Sequence, residues 1–473
     1  MPPYKIKPSK KAKIMENIVY KNLNLNCNSA YLIYIGKIKT WGLNKFLIKP
    51  LVDFYKRNVE IIAIMPDFHK YYPMDNVIIL NDRSKELSSN NRHVHKYPIK
   101  ESNFCKLVSN SRFIQELFSN ILKNQKIIYV NMYQNEEEFT LDNNKDIFII
   151  GPKKELVKKY NSKTNQYKLA KNHGLPVLDS EIAKNIDELS YIFREKKRYW
   201  KEGAYVAGEY GMGGSNSLFA QSESDILNKF SNTPGPFLIS ELIPNSKSPA
   251  VLGVSANKEE VFIASVVDQI MDGPKYKGSV FPSLLDKEVI NRLKEYTLQI
   301  GSIMGADGYK GIFGCDFIVT PTNQIYFVEI NARKVASTLE NSLYIKSLLP
   351  SFPTIPELEF RAVTQGTFGI DVEKISQKTK GISWGISYVK TLQNKIVVKD
   401  IESLPQEEDL FKNLDYLPKE RKKRISVMEH VGAGTIVDRG YLGRVVTVAK
   451  DHESVLRNLR TGEKMVWDTV KPC

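Results

Sequence analysis

The run that most constrains this chain is Gly311 to Arg333, GIFGCDFIVTPTNQIYFVEINAR. Two apolar stretches flank the turn residues Pro321-Thr322-Asn323, which is the pattern of a β-hairpin. Side chains alternate across a strand, so Phe313, Cys315, Phe317 and Val319 share one face, with Gly314, Asp316 and Ile318 on the other. In the second strand Tyr326, Val328 and Ile330 alternate with Phe327, Glu329 and Asn331. An even-length turn centred on Thr322-Asn323 sets Asp316 directly across from Glu329, whereas an odd one needs a bulge. Two carboxylates facing each other in an apolar hairpin repel strongly. A divalent cation between them relieves the repulsion, and their oxygens suit Mg²⁺, which keeps waters and phosphate oxygens as further ligands. Asn331 adds a third oxygen on the Glu329 face. Arg333 adds a cation able to hold a phosphate or carboxylate fork. The plain alternative is a surface hairpin with a satisfied acidic pair; four such residues at this spacing speak against it.

The rest of the composition excludes several classes. At 473 residues the length favours two to four domains. With 42% hydrophobic residues the chain can bury several cores, which rules out a disordered scaffold. No apolar run approaches the length of a membrane span. Met1-Pro2-Pro3-Tyr4-Lys5 leads into more lysine, so no signal peptide is expected. Cys27, Cys105, Cys315 and Cys473 are too scattered for a disulfide framework or a CxxC zinc site. A soluble, reduced, cytoplasmic protein is the expectation. Cys315 reads as a core residue rather than a nucleophile. His93-Val94-His95 lacks a third ligand and reads as a surface loop.

Sixty-eight Lys+Arg against 53 Asp+Glu give a net charge of +15, which favours anionic partners. Part of the excess is local: Lys5, Lys7, Lys10, Lys11 and Lys13, then Lys419 and Arg421 to Arg424. Such runs are usually solvated tails and loops. No zinc-finger spacing or RRM aromatic motif accompanies them, so nucleic acid is not the expected partner.

Along the chain, residues 15–150 alternate apolar strand-length runs with helical periodicity, the pattern of an α/β domain with a largely parallel sheet. The strands expected are Ala30 to Gly36, Val59 to Met65, Val77 to Leu80, Lys126 to Val130 and Asp146 to Ile150, with a loop over Asn81 to Asn91. Residues 151–335 shift to α+β grain, and 336–473 form a smaller α+β segment completing or capping it; residues 1–14 are a basic tail. Tyr199 to Val206 reads as a strand leading into glycines. Gly432 to Arg444 reads as a packing hairpin with two glycine turns, and Tyr276-Lys277-Gly278 as a connection or a substrate-facing loop.

The acid in one strand followed by Glu329-Ile330-Asn331-Ala332-Arg333 resembles the magnesium and phosphate site of the ATP-grasp superfamily. Upstream, Ser162-Lys163, Leu169-Ala170-Lys171 and Gly174-Leu175-Pro176-Val177 resemble its Asp-Lys, helix, Gly-Ile-Pro-Val signature, with Ser162 in place of Asp. Tyr199-Trp200-Lys201 resembles the strand of the second ATP lysine, Gly208 to Ser215 the mobile phosphate loop, and Phe237 to Ile243 the adenine hinge. Gly432 to Thr435, then Gly440 to Arg444 and the strand after it, are similar to the closing segment of biotin-carboxylase-like and pheganomycin-type peptide ligases. The resemblance implies an ATP-grasp fold behind an α/β pre-ATP-grasp domain. Lys163, Lys201, Gly211, Gly213, Gly214, Ser215, Glu241 and Leu242 would bind ATP. Asp316, Glu329 and Asn331 would hold Mg²⁺, with Mn²⁺ as the alternative, and Asn331 and Arg333 would serve catalysis. It further implies ligation of an amino acid or short peptide to an amine through an acylphosphate. The alternatives are loading of an acidic acyl-carrier protein, or a non-catalytic nucleotide- or nucleic-acid-binding protein; a homodimer follows by analogy.

Overall fold

The computed structural model describes residues 18–67, 75–82, 94–96, 99–211, 213–372, 381–402, 404–412 and 414–473. The basic tail, His93, Met212 and most of the 81–91 segment lie outside the described residues.

A six-stranded sheet comes first, in the order Ile18–Asn22, Val77–Leu80, Val59–Met65, Ala30–Ile35, Ile128–Met132, Ile147–Ile150. Every neighbouring pair is parallel except the outermost, where Ile18–Asn22 runs against Val77–Leu80. Ala30–Ile35 is buried at every residue, as befits a central strand covered on both faces. Tyr31, Ile33 and Ile35 pack beneath the helices Glu101–Asn110 and Arg112–Gln125, while Ala30 and Leu32 meet Leu47 and Leu51 of Lys45–Tyr55. The order reverses between Ala30–Ile35 and Ile128–Met132. At such a switch point the loops beyond the carboxyl ends part and leave a crevice.

A four-stranded antiparallel sheet follows, in the order Ser217–Ala220, Ala204–Gly208, Phe237–Glu241, Ser180–Ala183. One face packs on the helices Ile186–Lys196 and Glu223–Phe230 through Val206, Ile239, Phe193 and Phe230. The expected strand over Tyr199 to Val206 begins only at Ala204. The amides of Tyr199 and Trp200 bond back to the Lys196 carbonyl at 2.8 and 2.9 Å, so the preceding helix runs on into a turn.

The hairpin Gly311–Val319/Ile325–Asn331 forms one edge of an eight-stranded antiparallel sheet. Beyond it lie Pro249–Ser255, Val261–Asp272, Lys275–Phe281, Ser383–Lys390, Tyr441–Ala449 and Ile425–Met428. Helix Lys287–Ala306 covers one face, its Leu293, Ile300 and Met304 clustering with Phe313, Cys315 and Phe317. Tyr276 to Gly278 is therefore strand, not loop. The expected hairpin over Gly432 to Arg444 is also corrected. Thr435–Val437 joins a separate small sheet, parallel to Val94–Lys96, while Tyr441–Ala449 pairs with Ser383–Lys390. Arg421–Arg424 is a short 3-10 turn with no buried residue.

Candidate active site

A cavity of about 870 Å³ opens between the small sheet, the eight-stranded sheet and the carboxyl ends of the parallel strands. The hairpin supplies its charged edge. Asp316 stands opposite Glu329, and Gly314 opposite Asn331. A bulge between Asp316 and Phe317 absorbs the odd register, pairing Phe317 with Phe327 and leaving Val328 as the extra residue. Simple alternation placed Phe327 with Glu329. The bulge instead lets it join Ile325 and Ile330 in the core cluster.

Asp316 Oδ1 accepts from Gln269 Nε2 at 3.1 Å and Oδ2 from Asn331 Nδ2 at 3.0 Å. Burial, then the facing Glu329 charge, push the Asp316 carboxyl up to about 7. Glu329 Oε2 is 2.8 Å from Lys163 Nζ. Burial pushes the Lys163 ammonium down, but Glu329 outweighs it and holds the pKa above the ordinary lysine value. Two carboxylates and an amide thus share one edge of the cavity, a hard-oxygen donor set that fits Mg²⁺ completed by phosphate oxygens. Among the described residues, no three His, Cys, Asp or Glu side chains group as a metal site. A cation here therefore depends on the amide and on ligand oxygens.

Lys163 opens helix Lys163–Asn172, which Ser162 caps by accepting from the Asn165 amide at 3.2 Å. The Ser162 hydroxyl also bonds Glu209, and Thr164 Oγ1 reaches the two Glu209 carboxylate oxygens at 3.0 and 2.9 Å. Serine in place of the expected Asp therefore ties the start of the glycine segment to the lysine-bearing helix. Lys201 is not brought to this group: it is exposed in the turn before Ala204 and does not line the cavity. Tyr205, on the strand itself, faces the cavity with Ser217, Leu238 and Ser240.

Gly211, Gly213, Gly214 and Ser215 line the cavity. Gly214 has φ +77° and lies so close to the turn after Val261–Asp272 that a Cβ would sit 2.1 Å from the Pro274 carbonyl oxygen. Only glycine allows this approach. Glu241 and Leu242 line the same cavity. Their amides are already engaged, Glu241 to the Asp179 carbonyl at 2.9 Å and Leu242 to that of Gly203 at 3.2 Å. Burial, with Asp179 nearby, raises the Glu241 pKa.

Arg333 is buried, and its Nε donates to Tyr133 Oη at 3.2 Å. Burial pushes the Tyr133 phenol up, yet the Arg333 and Lys39 charges outweigh it and hold it below the ordinary tyrosine value. Tyr133, Lys37, Lys39, Gln269 and Lys390 all line the cavity and were not anticipated from the sequence. A signal for three of them existed: Lys37 and Lys39 directly follow one apolar strand, and Tyr133 directly follows another.

Residues 161–337 match the ATP-grasp domain model, so this stretch of the chain is similar to an ATP-grasp domain. Two curated relatives share part of the sequence. The L-propargylglycine–L-glutamate ligase of Streptantibioticus cattleyicolor is 32% identical over 88 residues, 19% of this chain and 18% of that enzyme. The butirosin acyl-carrier protein–L-glutamate ligase of Niallia circulans is 24% identical over 194 residues, 39% of this chain and 46% of that one. The chain thus spans less than half the length of either relative. Biotin carboxylase of Campylobacter jejuni shares the fold, with a TM-score of 0.62 at 15% identity over 94% of this chain and 91% of that one. Among the described residues no helix is long and apolar enough to cross a membrane.

Proposed function

We propose that this protein is an ATP-dependent ligase that activates a carboxylate as an acylphosphate and transfers the acyl group to an amine. The observation that carries this reading is the shared edge of Lys163, Asp316, Glu329, Asn331 and Arg333 in one cavity beneath a glycine segment. Asp316, Glu329 and Asn331 would hold Mg²⁺, which when bound neutralises charge on the phosphates. Lys163 would turn from Glu329 to a phosphate oxygen once that carboxylate takes a ligand. A donor carboxylate oxygen attacks the γ-phosphorus, the bond to the β-phosphate oxygen breaks, and ADP leaves. An amine nitrogen then attacks the acyl carbon, phosphate departs, and the nitrogen gives up a proton. Arg333, fixed by Tyr133, would stabilise the carboxylate and then the tetrahedral adduct. The segment from Gly211 to Ser215 would exclude water from the acylphosphate, and Glu241 and Leu242 would face the adenine. Lys201 is left out of the ATP site.

The division into 15–150, 151–335 and 336–473 belongs to the same proposal, with small-molecule or peptide substrates and a cytoplasmic setting. Transfer to an acyl-carrier thiol is the second reading, favoured by the Niallia relative's named acceptor. The test is Mg²⁺-ATP turnover with a panel of carboxylates and hydroxylamine, reading ADP, phosphate and hydroxamate together. Hydroxamate with ADP is the expected result. AMP and pyrophosphate instead would refute the acylphosphate route.

A further inference from the structure

Lys37 and Lys39 follow the strand Ala30–Ile35, and Tyr133 follows Ile128–Met132, so all three stand at the carboxyl ends where the parallel sheet reverses its order. Open α/β sheets receive ligands at that place. Arg333 and Lys39 flank one ring there: the Arg333 guanidinium carbon is 5.7 Å from the Tyr133 ring centroid and Lys39 Nζ is 5.2 Å from it. Lys390, at the end of Ser383–Lys390 and 5.9 Å from the Tyr388 ring, lines the same cavity. That strand lies four places from Gly311–Val319 in the sheet. At about 4.8 Å per strand the two backbones stand roughly 19 Å apart, which sets the base of Lys390 apart from the Asp316 edge.

The lysines here outnumber their counter-ions. Lys37 pairs with Glu101 at 3.1 Å and Lys277 with Asp272 at 3.4 Å. Among the described residues neither Lys39 nor Lys390 forms an ion pair, although both line the cavity. Burial, then Lys39, Lys277 and Lys37, push the Lys390 ammonium down to about 8. Gathering like charges in a recess raises their free energy, and an incoming anion relieves it. The three glutamates behind Tyr441 do not supply that anion, because they converge on the buried Arg444.

We infer that the activated donor is a short molecule with two anionic groups: one carboxylate lies at Arg333 and the second group is held by Lys39 and Lys390. This rests on the ligase reading for the role of the first carboxylate, but the second subsite stands on the lysines alone. Its chemistry suits a carboxylate or a phosphate ester.

The test is calorimetry on the full chain loaded with Mg²⁺ and a non-hydrolysable ATP analogue. The probes are near-isosteric pairs: glutamate against glutamine, aspartate against asparagine, succinate against succinamate, and O-phosphoserine against serine. At least one probe with two anionic groups should bind ten or more times tighter than its neutralised partner, and the pair that does so distinguishes carboxylate from phosphate. Lys39→Met and Lys390→Met should each reduce that preference about tenfold, the scale of losing one partly desolvated charge pair, while leaving analogue affinity intact. No preference for two anionic groups in the wild type, or a preference surviving in both variants, overturns the inference. ADP release is read in parallel with hydroxylamine present. Lysine-dependent binding of a two-anion probe without ADP release keeps the subsite and sinks the ligase. Equal hydroxamate from the two-anion probes and from their neutralised partners sinks the subsite and keeps the ligase.

Discussion

At Glu329 one carboxylate answers two neighbours, the Lys163 ammonium at 2.8 Å and the Asp316 carboxyl across the hairpin. Its charge raises Asp316 and steadies Lys163, so neutralising it changes both. Glu329→Gln keeps the shape and removes the charge. The expected outcome is a variant that still folds, with turnover lowered at least about a hundredfold, the loss that follows removal of a key electrostatic group. Steady-state ADP release checks it, and near-normal turnover would sink the metal assignment. Asp316, Glu329 and Asn331 were legible in the sequence because strand alternation on either side of the bulge keeps each on its face, and Arg333 follows just beyond the strand end at Asn331. Lys201 was misleading. Tyr199-Trp200 has the composition of a strand, and only the helix carbonyl of Lys196 turns it aside.

The elements that could be read were those whose pattern is local. Ile61 to Met65 within Val59–Met65, and all of Val77–Leu80, are continuous apolar runs and appear where expected. What could not be read was pairing between distant segments. Thr435–Val437 pairs with Val94–Lys96, so nothing local marked its departure from the expected hairpin. His430 sits in this region and carries a consequence for the carboxyl-terminal segment. Its Nδ1 accepts from the Gly432 amide at 3.3 Å, which leaves the proton on Nε2 to donate to Thr469 Oγ1 at 3.0 Å. Burial, partly opposed by Asp400, pushes the imidazole down to about 4. An unfolded histidine takes a proton near pH 6.5, and the fold refuses it until about 4. Stability is therefore complete above about pH 6.5 and falls as pH drops through that window, by up to about 3 kcal/mol. Urea unfolding at a series of pH values should show that slope in the wild type and a flatter one in His430→Gln. Identical slopes would remove His430 as the cause.

Across the whole molecule, Lys334 joins three bodies at one buried atom. Its Nζ is 2.8 Å from Glu359 Oε2 and donates to the Ile150 carbonyl at 3.1 Å. Its amide donates to the Tyr133 carbonyl at 3.3 Å, and Glu359 Oε1 accepts from the Ile312 amide at 3.1 Å. The parallel sheet, the hairpin and helix Ile355–Gln365 therefore meet at this pair, one residue beyond Arg333. The two side chains are 3% and 1% exposed, so solvent cannot replace either partner. Lys334→Met strands the Glu359 charge and should lower stability by about 3–5 kcal/mol in urea unfolding. Lys334→Met/Glu359→Leu removes both charges and should recover most of that loss, because an apolar pair of similar volume avoids the desolvation cost of burying ions. Turnover separates stability from alignment. Lys334 is one residue from Arg333 and its amide bonds the Tyr133 carbonyl, so alignment of Arg333 by the ion pair predicts a double variant that is stable yet remains slow. A double variant that regains both stability and turnover would reduce Lys334 to a packing residue, and the alignment of the catalytic edge would then rest on the hairpin alone.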